Sequence, residues 1–247
     1  MELNEAAHWG NLGDWGQTTS YLNAAHGLAM RLGHTAGLKP SKTILDLGSG
    51  YGGQLRFWQD TFDIGAIDTV EPDDTAREYA QKFNHKSPIP IQWLPSIGEA
   101  KSGYDAVLSL DAAYHFPDRR ALFTRCFDLL KPKGKLAITD LILTAPSKPG
   151  GRLLKRLSGI FDIPSANLKS REVYQQELEE LGFDDVSFQD ISIEVLVGFS
   201  ENWRAALAAH RGRSDASFLK YRLTASAASQ GYRKNLIHYV VIQGTKP

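Results

Sequence analysis

The sequence is short of cysteine, of net charge and of long apolar runs, and each shortage removes a class of protein. Its single cysteine, Cys126, permits no internal disulfide. Cys126 falls in Ala121–Leu130, a segment with helical periodicity, where a free thiol behaves as a small hydrophobe rather than a nucleophile. No apolar stretch approaches the roughly 20 residues that cross a bilayer. Residues Met1–Glu5 lack the basic start and apolar core of a secretion signal. A soluble protein of a reducing compartment, the cytoplasm, is therefore expected. The 28 basic residues are matched by 28 acidic ones, so no positive excess is available to grip a phosphate backbone, and nucleic acid is not expected as a partner. Arg204, Arg211, Arg213, Lys220, Arg222, Arg233 and Lys234 crowd the C-terminal part and read as a solvated helix face. The chain has no internal repeat and no low-complexity tract. At 247 residues, 42% hydrophobic and 23% charged, it suits one α/β domain carrying insertions.

What is present centres on Thr43–Gly53. Ile44, Leu45 and Leu47 form the short apolar run of a strand covered on both faces. Gly48, Gly50, Gly52 and Gly53 follow, where positive φ and a close approach of ligand to backbone are allowed. Gln54–Asp60 opens a helix. Strand, glycine turn and helix together make a nucleotide-binding corner. The glycines also satisfy the G-x-G-x-x-G of dinucleotide proteins, a weak signal alone. Asp46, two residues before the first glycine, argues against a pyrophosphate and for a cationic ligand. S-adenosylmethionine carries a sulfonium and an ammonium and no phosphate. Glu71, ending a second strand over Ile64–Glu71, can accept from both ribose hydroxyls of either cofactor.

Four ordered motifs resemble those of the class I S-adenosylmethionine-dependent methyltransferases. Ile44–Gly52 matches the first motif, Val70-Glu71-Pro72 the second position, Tyr104–Asp111 the fourth strand, and Leu129–Leu136 the turn before the fifth. The likeness is tight over Lys42–Leu143. It implies an α/β fold: a Rossmann-like, seven-stranded, mostly parallel sheet with helices on both faces, an antiparallel last strand and a helical cap built from insertions. The alternation of strands and helices independently predicts a mostly parallel sheet. The resemblance assigns S-adenosylmethionine to Asp46, Gly48, Ser49, Gly50, Glu71, Pro72, Trp93, Leu94 and Leu110, with no metal. One departure stands out. Many family members place an acid just beyond the third strand, against the adenine amino group; here Trp93–Ser96 holds none, and the next is Glu99. Trp93 or Leu94 is expected to cover the adenine, its amino group bound by backbone carbonyls.

In chain order, residues 1–40 are expected to form a helical lid. Trp9 and Trp15 either fold over a ligand or pack on the domain edge, and a helix runs over Tyr21–Gly33. Residues 41–143 are the cofactor core, with a helix over Thr75–Phe83, a third strand over Pro88–Leu94 and a fifth over Gly134–Leu143. Residues 144–169 and 200–228 are the substrate cap; the second is helical with a break near Gly212–Asp215. Residues 170–199 and 229–247 complete the sheet. They hold a helix capped by Ser170 and stopped by Gly182, a sixth strand over Val186–Val197 and a last strand over Leu236–Gln243. Phe161, Phe199, Trp203 and Tyr221 are candidate acceptor-lining residues.

The fourth strand ends in Asp111-Ala-Ala-Tyr-His115, at the carboxyl edge where ligands of open α/β sheets bind. His115 is the candidate general base, its unperturbed pKa lying near neutrality. A structural histidine bonded to backbone is the alternative, and Tyr114 can face pocket or core. The Trp/Gly-rich start, the Tyr-His-Phe loop and the helical segment before the last strand resemble the small-molecule branch of the family, the erythromycin-type sugar O-methyltransferases first, with tocopherol-type C- and sarcosine-type N-methyltransferases as relatives. The Asn/Asp-Pro-Pro-Tyr/Phe signature of base and glutamine methylation is missing. O-methylation of a small secondary metabolite is the expectation. N- or C-methylation, a non-catalytic S-adenosylmethionine-binding subunit and a nicotinamide-dependent oxidoreductase remain as alternatives.

Overall fold

The structure, a computed structural model, describes residues 6–144, 149–209 and 216–247; of 157, 204–209 and 216–222 it describes the backbone alone. Seven strands form one sheet in the order β3-β2-β1-β4-β5-β7-β6. They are β1 (Thr43–Leu47), β2 (Ala66–Val70), β3 (Ile91–Leu94), β4 (Tyr104–Ser109), β5 (Leu130–Leu143), β6 (Asp184–Asp190) and β7 (Ile237–Thr245). The first five pair in parallel, and β7 runs antiparallel between β5 and β6. This is the sheet expected from the sequence.

Side chains alternate across the sheet and feed two core layers. Ile44, Ala106 and Leu108 pack with helix α1 (Tyr21–Thr35) and helix α2 (Gly53–Phe62), where Leu28, Leu32, Leu55 and Trp58 are fully buried. Leu45, Leu47 and Val107 face α4 (Arg119–Leu129) and α6 (Arg171–Glu180) through Phe123, Cys126, Tyr174 and Leu178. Cys126 is wholly enclosed, and burial pushes its thiol pKa well above the ordinary range. Helix starts are set by side-chain caps. Asp73 accepts from the Ala76 amide at 2.8 Å to open α3 (Asp74–Phe83), Asp118 from Ala121 at 2.9 Å, and Ser170 from Val173 at 3.5 Å. Gly182, at φ +100°, ends α6 with its amide on the Glu179 carbonyl.

Three strand boundaries differ from the expected ones by more than two residues. Strand β3 begins only at Ile91, because Pro88 and Pro90 cannot donate to a ladder. Strand β5 begins earlier, at Leu130, and carries an irregularity before Lys135. The sixth strand was expected to reach Val197 but stops at Asp190. The Asp190 carboxylate accepts the Ser192 amide and hydroxyl, turning the chain. Ile193–Val197 then forms a π-helical turn leading into α7 (Gly198–Ala209), and α8 (Ala216–Arg233) follows. The expected break at Gly212–Asp215 lies outside the described residues. Between β5 and α6, the cap carries α5 (Pro149–Leu157) and a short turn, Ser158–Phe161.

Sheet order reverses direction between β1 and β4. The crevice beyond the carboxyl ends of these two strands is where an open α/β sheet holds its ligand.

Candidate active site

The glycine turn occupies that crevice. Gly48, Gly50 and Gly52 adopt φ of +84°, +53° and +86°, a region that L side chains rarely enter. A Cβ on Gly48 would stand 2.5 Å from the Ala112 methyl, so its absence lets the β4 loop close on the turn. A Cβ on Gly53 would meet the His8 carbonyl at 2.7 Å, so the N-terminal segment crosses directly over the start of α2. Above Gly50, by contrast, there is open space. The Ser49 hydroxyl is buried and has no hydrogen-bond partner.

The two acids of the turn differ in placement. Glu71 sits at the end of β2, where one carboxylate oxygen accepts from the Gly50 amide at 2.7 Å and the other from the Asp73 amide at 3.0 Å. Each oxygen keeps a second lone pair. Asp46 does not line the crevice. Its side chain is fully enclosed beneath the turn, held by Gln54 Nε2 at 2.9 and 3.1 Å and by the Thr69 hydroxyl at 3.2 Å. Burial pushes its pKa up to about 7, against these hydrogen bonds. Gln54 also reaches the Gly48 carbonyl, at 3.4 Å, so Asp46 braces the turn from below. Leu94 and Leu110 are likewise packed into the core and can offer only backbone to a ligand; the Leu94 carbonyl already accepts the Glu71 amide. Trp93 is half-buried, and Pro72 and Glu99 are exposed.

Beyond β4 lies a cavity of about 410 Å³. Leu12, Leu141, Phe161, Ile163 and Leu196 give it apolar walls, while Asp111, Tyr114 and His115 supply its polar edge. The Asp111 carboxylate joins three separate segments: it accepts the Leu12 amide at 2.7 Å, the Tyr239 hydroxyl at 2.8 Å and the Tyr114 hydroxyl. Its own amide donates to the Thr139 hydroxyl at 2.7 Å. Burial raises the pKa of the Asp111 carboxyl and holds both tyrosines well above their ordinary range, so the hydroxyls remain donors. His115 Nδ1 is 2.9 Å from the Asp162 carbonyl. A carbonyl can only accept, so Nδ1 carries the proton and Nε2 of the neutral ring presents a lone pair.

Comparison with known proteins agrees with this geometry. A methyltransferase-domain family model matches residues 21–187. Erythromycin 3''-O-methyltransferase of Saccharopolyspora erythraea is 30% identical over 96% of this chain and 83% of its own length. The chain is a class I S-adenosylmethionine-dependent methyltransferase. Glycine/sarcosine/dimethylglycine N-methyltransferase of Actinopolyspora halophila is 26% identical over 68% of the methyltransferase, which spans only 30% of that relative. The cyclopropane synthase MmaA2 of Mycobacterium tuberculosis shares the fold, with a TM-score of 0.79 at 18% identity, covering 98% of this chain and 94% of the other.

The residues of the methyltransferase fit its cofactor. An unpartnered Ser49 hydroxyl, open space over Gly50 and a doubly accepting Glu71 form a polar cradle at the end of β1. Of the acceptor-lining candidates, Phe161 lines the cavity. Phe199 is buried and stacks on Trp203, and neither borders it; the Tyr221 side chain lies outside the described residues. Trp9 belongs to the core, and Trp15 donates to the Leu12 carbonyl at 2.7 Å, steadying the N-terminal segment. The sequence placed Asp111 at the ligand edge without a role and did not single out Thr139 or Tyr239. Tyr239 reaches the site only because antiparallel register sets it opposite Leu141. Among the described residues, no helix is long and apolar enough to cross a membrane.

Proposed function

We propose that the methyltransferase acts on a hydroxyl group of a small, largely apolar acceptor, a product of secondary metabolism. The observation that carries this reading is the 410 Å³ cavity with a single imidazole at its edge whose Nδ1 is committed to the Asp162 carbonyl. When bound, S-adenosylmethionine supplies an electrophilic methyl carbon on a sulfonium. Glu71 and the Ser49 hydroxyl hold and orient it in the space over Gly50. His115 Nε2 takes the acceptor proton as the hydroxyl oxygen becomes the nucleophile, a contribution of about 10²–10⁴-fold. Tyr114 and Tyr239, tied to Asp111, fix the loop that carries His115. The apolar walls exclude water and position the acceptor. The 30% identity to an erythromycin O-methyltransferase supports a hydroxyl over an amine.

A panel of hydroxylated and amine acceptors tests the class. His115→Ala is expected to lower kcat on hydroxyl acceptors at least about a hundredfold and to leave S-adenosylhomocysteine affinity unchanged. A loss below about tenfold removes the base role. Glu71→Gln is expected to weaken S-adenosylhomocysteine binding, read by calorimetry; unchanged affinity sinks the assignment of the cradle.

A further inference from the structure

The chain is neutral overall, yet its cap is not. Pro149–Asp162 holds Arg152, Lys155 and Arg156 against one acid, Asp162. Helix α5 and the turn after it have two different sides. Leu154, Ser158 and Phe161 border the acceptor cavity. Leu153 and Ile160 point the other way and are 55% and 61% exposed, among the most exposed large apolar side chains described. A short helix and turn that set an outward leucine and isoleucine beside cations have the composition of an interfacial segment: the apolar side chains enter the acyl boundary and the cations meet the headgroups.

We infer that the α5 cap docks the enzyme on an anionic bilayer surface, from which an apolar acceptor enters the cavity directly beneath. Lys155 and Arg156 match anionic headgroups in charge. The outward apolar side chains are too few, and too separated by charge, to form the desolvated core of a stable protein interface. The source of the acceptor rests on the proposed apolar cavity; the docking itself does not, because it is measured without acceptor.

The test uses the full chain with S-adenosylhomocysteine and sedimentation with vesicles. One set is phosphatidylcholine with phosphatidylglycerol, the other phosphatidylcholine alone. Anionic vesicles are expected to bind on the order of twentyfold more tightly, at about fivefold for each of Lys155 and Arg156, with binding falling as salt rises. Lys155→Glu with Arg156→Glu is expected to abolish that preference, and Leu153→Ser with Ile160→Ser to weaken binding with the charges intact. Calorimetric affinity for S-adenosylhomocysteine should stay unchanged in both, which shows that the variants fold. Equal binding to the two vesicle sets, or binding that survives charge reversal, overturns the proposal. So does absence of vesicle binding together with binding to an acidic carrier protein, which would make the partner a protein.

Discussion

Asp46 is a carboxyl placed where water cannot reach it. Its pKa is about 7 in the folded chain, against 3.8 as its ordinary value. The unfolded chain therefore releases this proton near pH 4 while the native state keeps it. Stability due to this group is full below about pH 4 and falls as pH rises to about 7, by about 4 kcal/mol across the window. Asp46→Asn removes the titration. Thermal unfolding of both proteins between pH 4 and 8 should show the wild type losing Tm relative to the variant as pH rises, then running parallel to it. A parallel pair throughout would mean that the Asp46 carboxyl is ionised in the native state. Gly48 gives a sharper case. Alanine there meets both a φ of +84° and the Ala112 methyl at 2.5 Å. Gly48→Ala is expected to cost more than about 2 kcal/mol in urea unfolding and to weaken S-adenosylhomocysteine binding, because the β4 loop must retreat.

At the scale of elements, one buried ion pair fastens the acceptor side. Arg119 of α4 meets Asp140 of β5 at 2.7 Å with both side chains almost wholly enclosed. Arg119 also donates to the Asn167 carbonyl and lies 4.1 Å over the Tyr174 ring, whose hydroxyl shares Asp140. Asn167 in turn holds the Tyr114 and Phe116 carbonyls, at 3.0 and 2.7 Å. The loop bearing His115 thus hangs from Arg119 through Asn167. Arg119→Met strands Asp140 and is expected to cost about 3–5 kcal/mol. Arg119→Met with Asp140→Leu should recover part of that stability and still lower kcat, since Asn167 loses its anchor. Denaturant unfolding and steady-state rates measure the two effects separately.

For the whole molecule, the sequence made the parallel core legible because glycines, caps and short apolar runs are local signals. Asp73, Asp118, Ser170 and Gly182 mark helix ends through neighbours three or four residues away. The charge of Asp46 was visible in the sequence and its burial was not: β2 pairing sets Thr69 opposite it, and Gln54 of α2 closes over the carboxyl. The sixth strand was overextended because alternating Ile191, Ile193, Val195 and Val197 mimics a strand, whereas Ser192 turns the chain by bonding Asp190. Asp111 gathers partners from residues 12, 114 and 239, a separation that no local pattern encodes. Equal numbers of acids and bases also set solution behaviour. With 28 of each, self-repulsion is least near neutrality. Solubility measured by light scattering is expected to be lowest near pH 7 and to improve by pH 9.

Strand β7 is the last of the seven in the chain yet lies inside the sheet, with Ile242 paired to Ile138 on one side and Phe188 on the other. During synthesis β5 and β6 must wait with bare edges until β7 leaves the ribosome, while β1 to β5 can already assemble around the glycine turn. A half-made chain would thus possess much of the nucleotide crevice and still lack Tyr239, whose hydroxyl ties the Asp111 carboxylate to β7. Stalled or clipped chains of this protein should therefore associate through those two open edges before they ever become competent for chemistry.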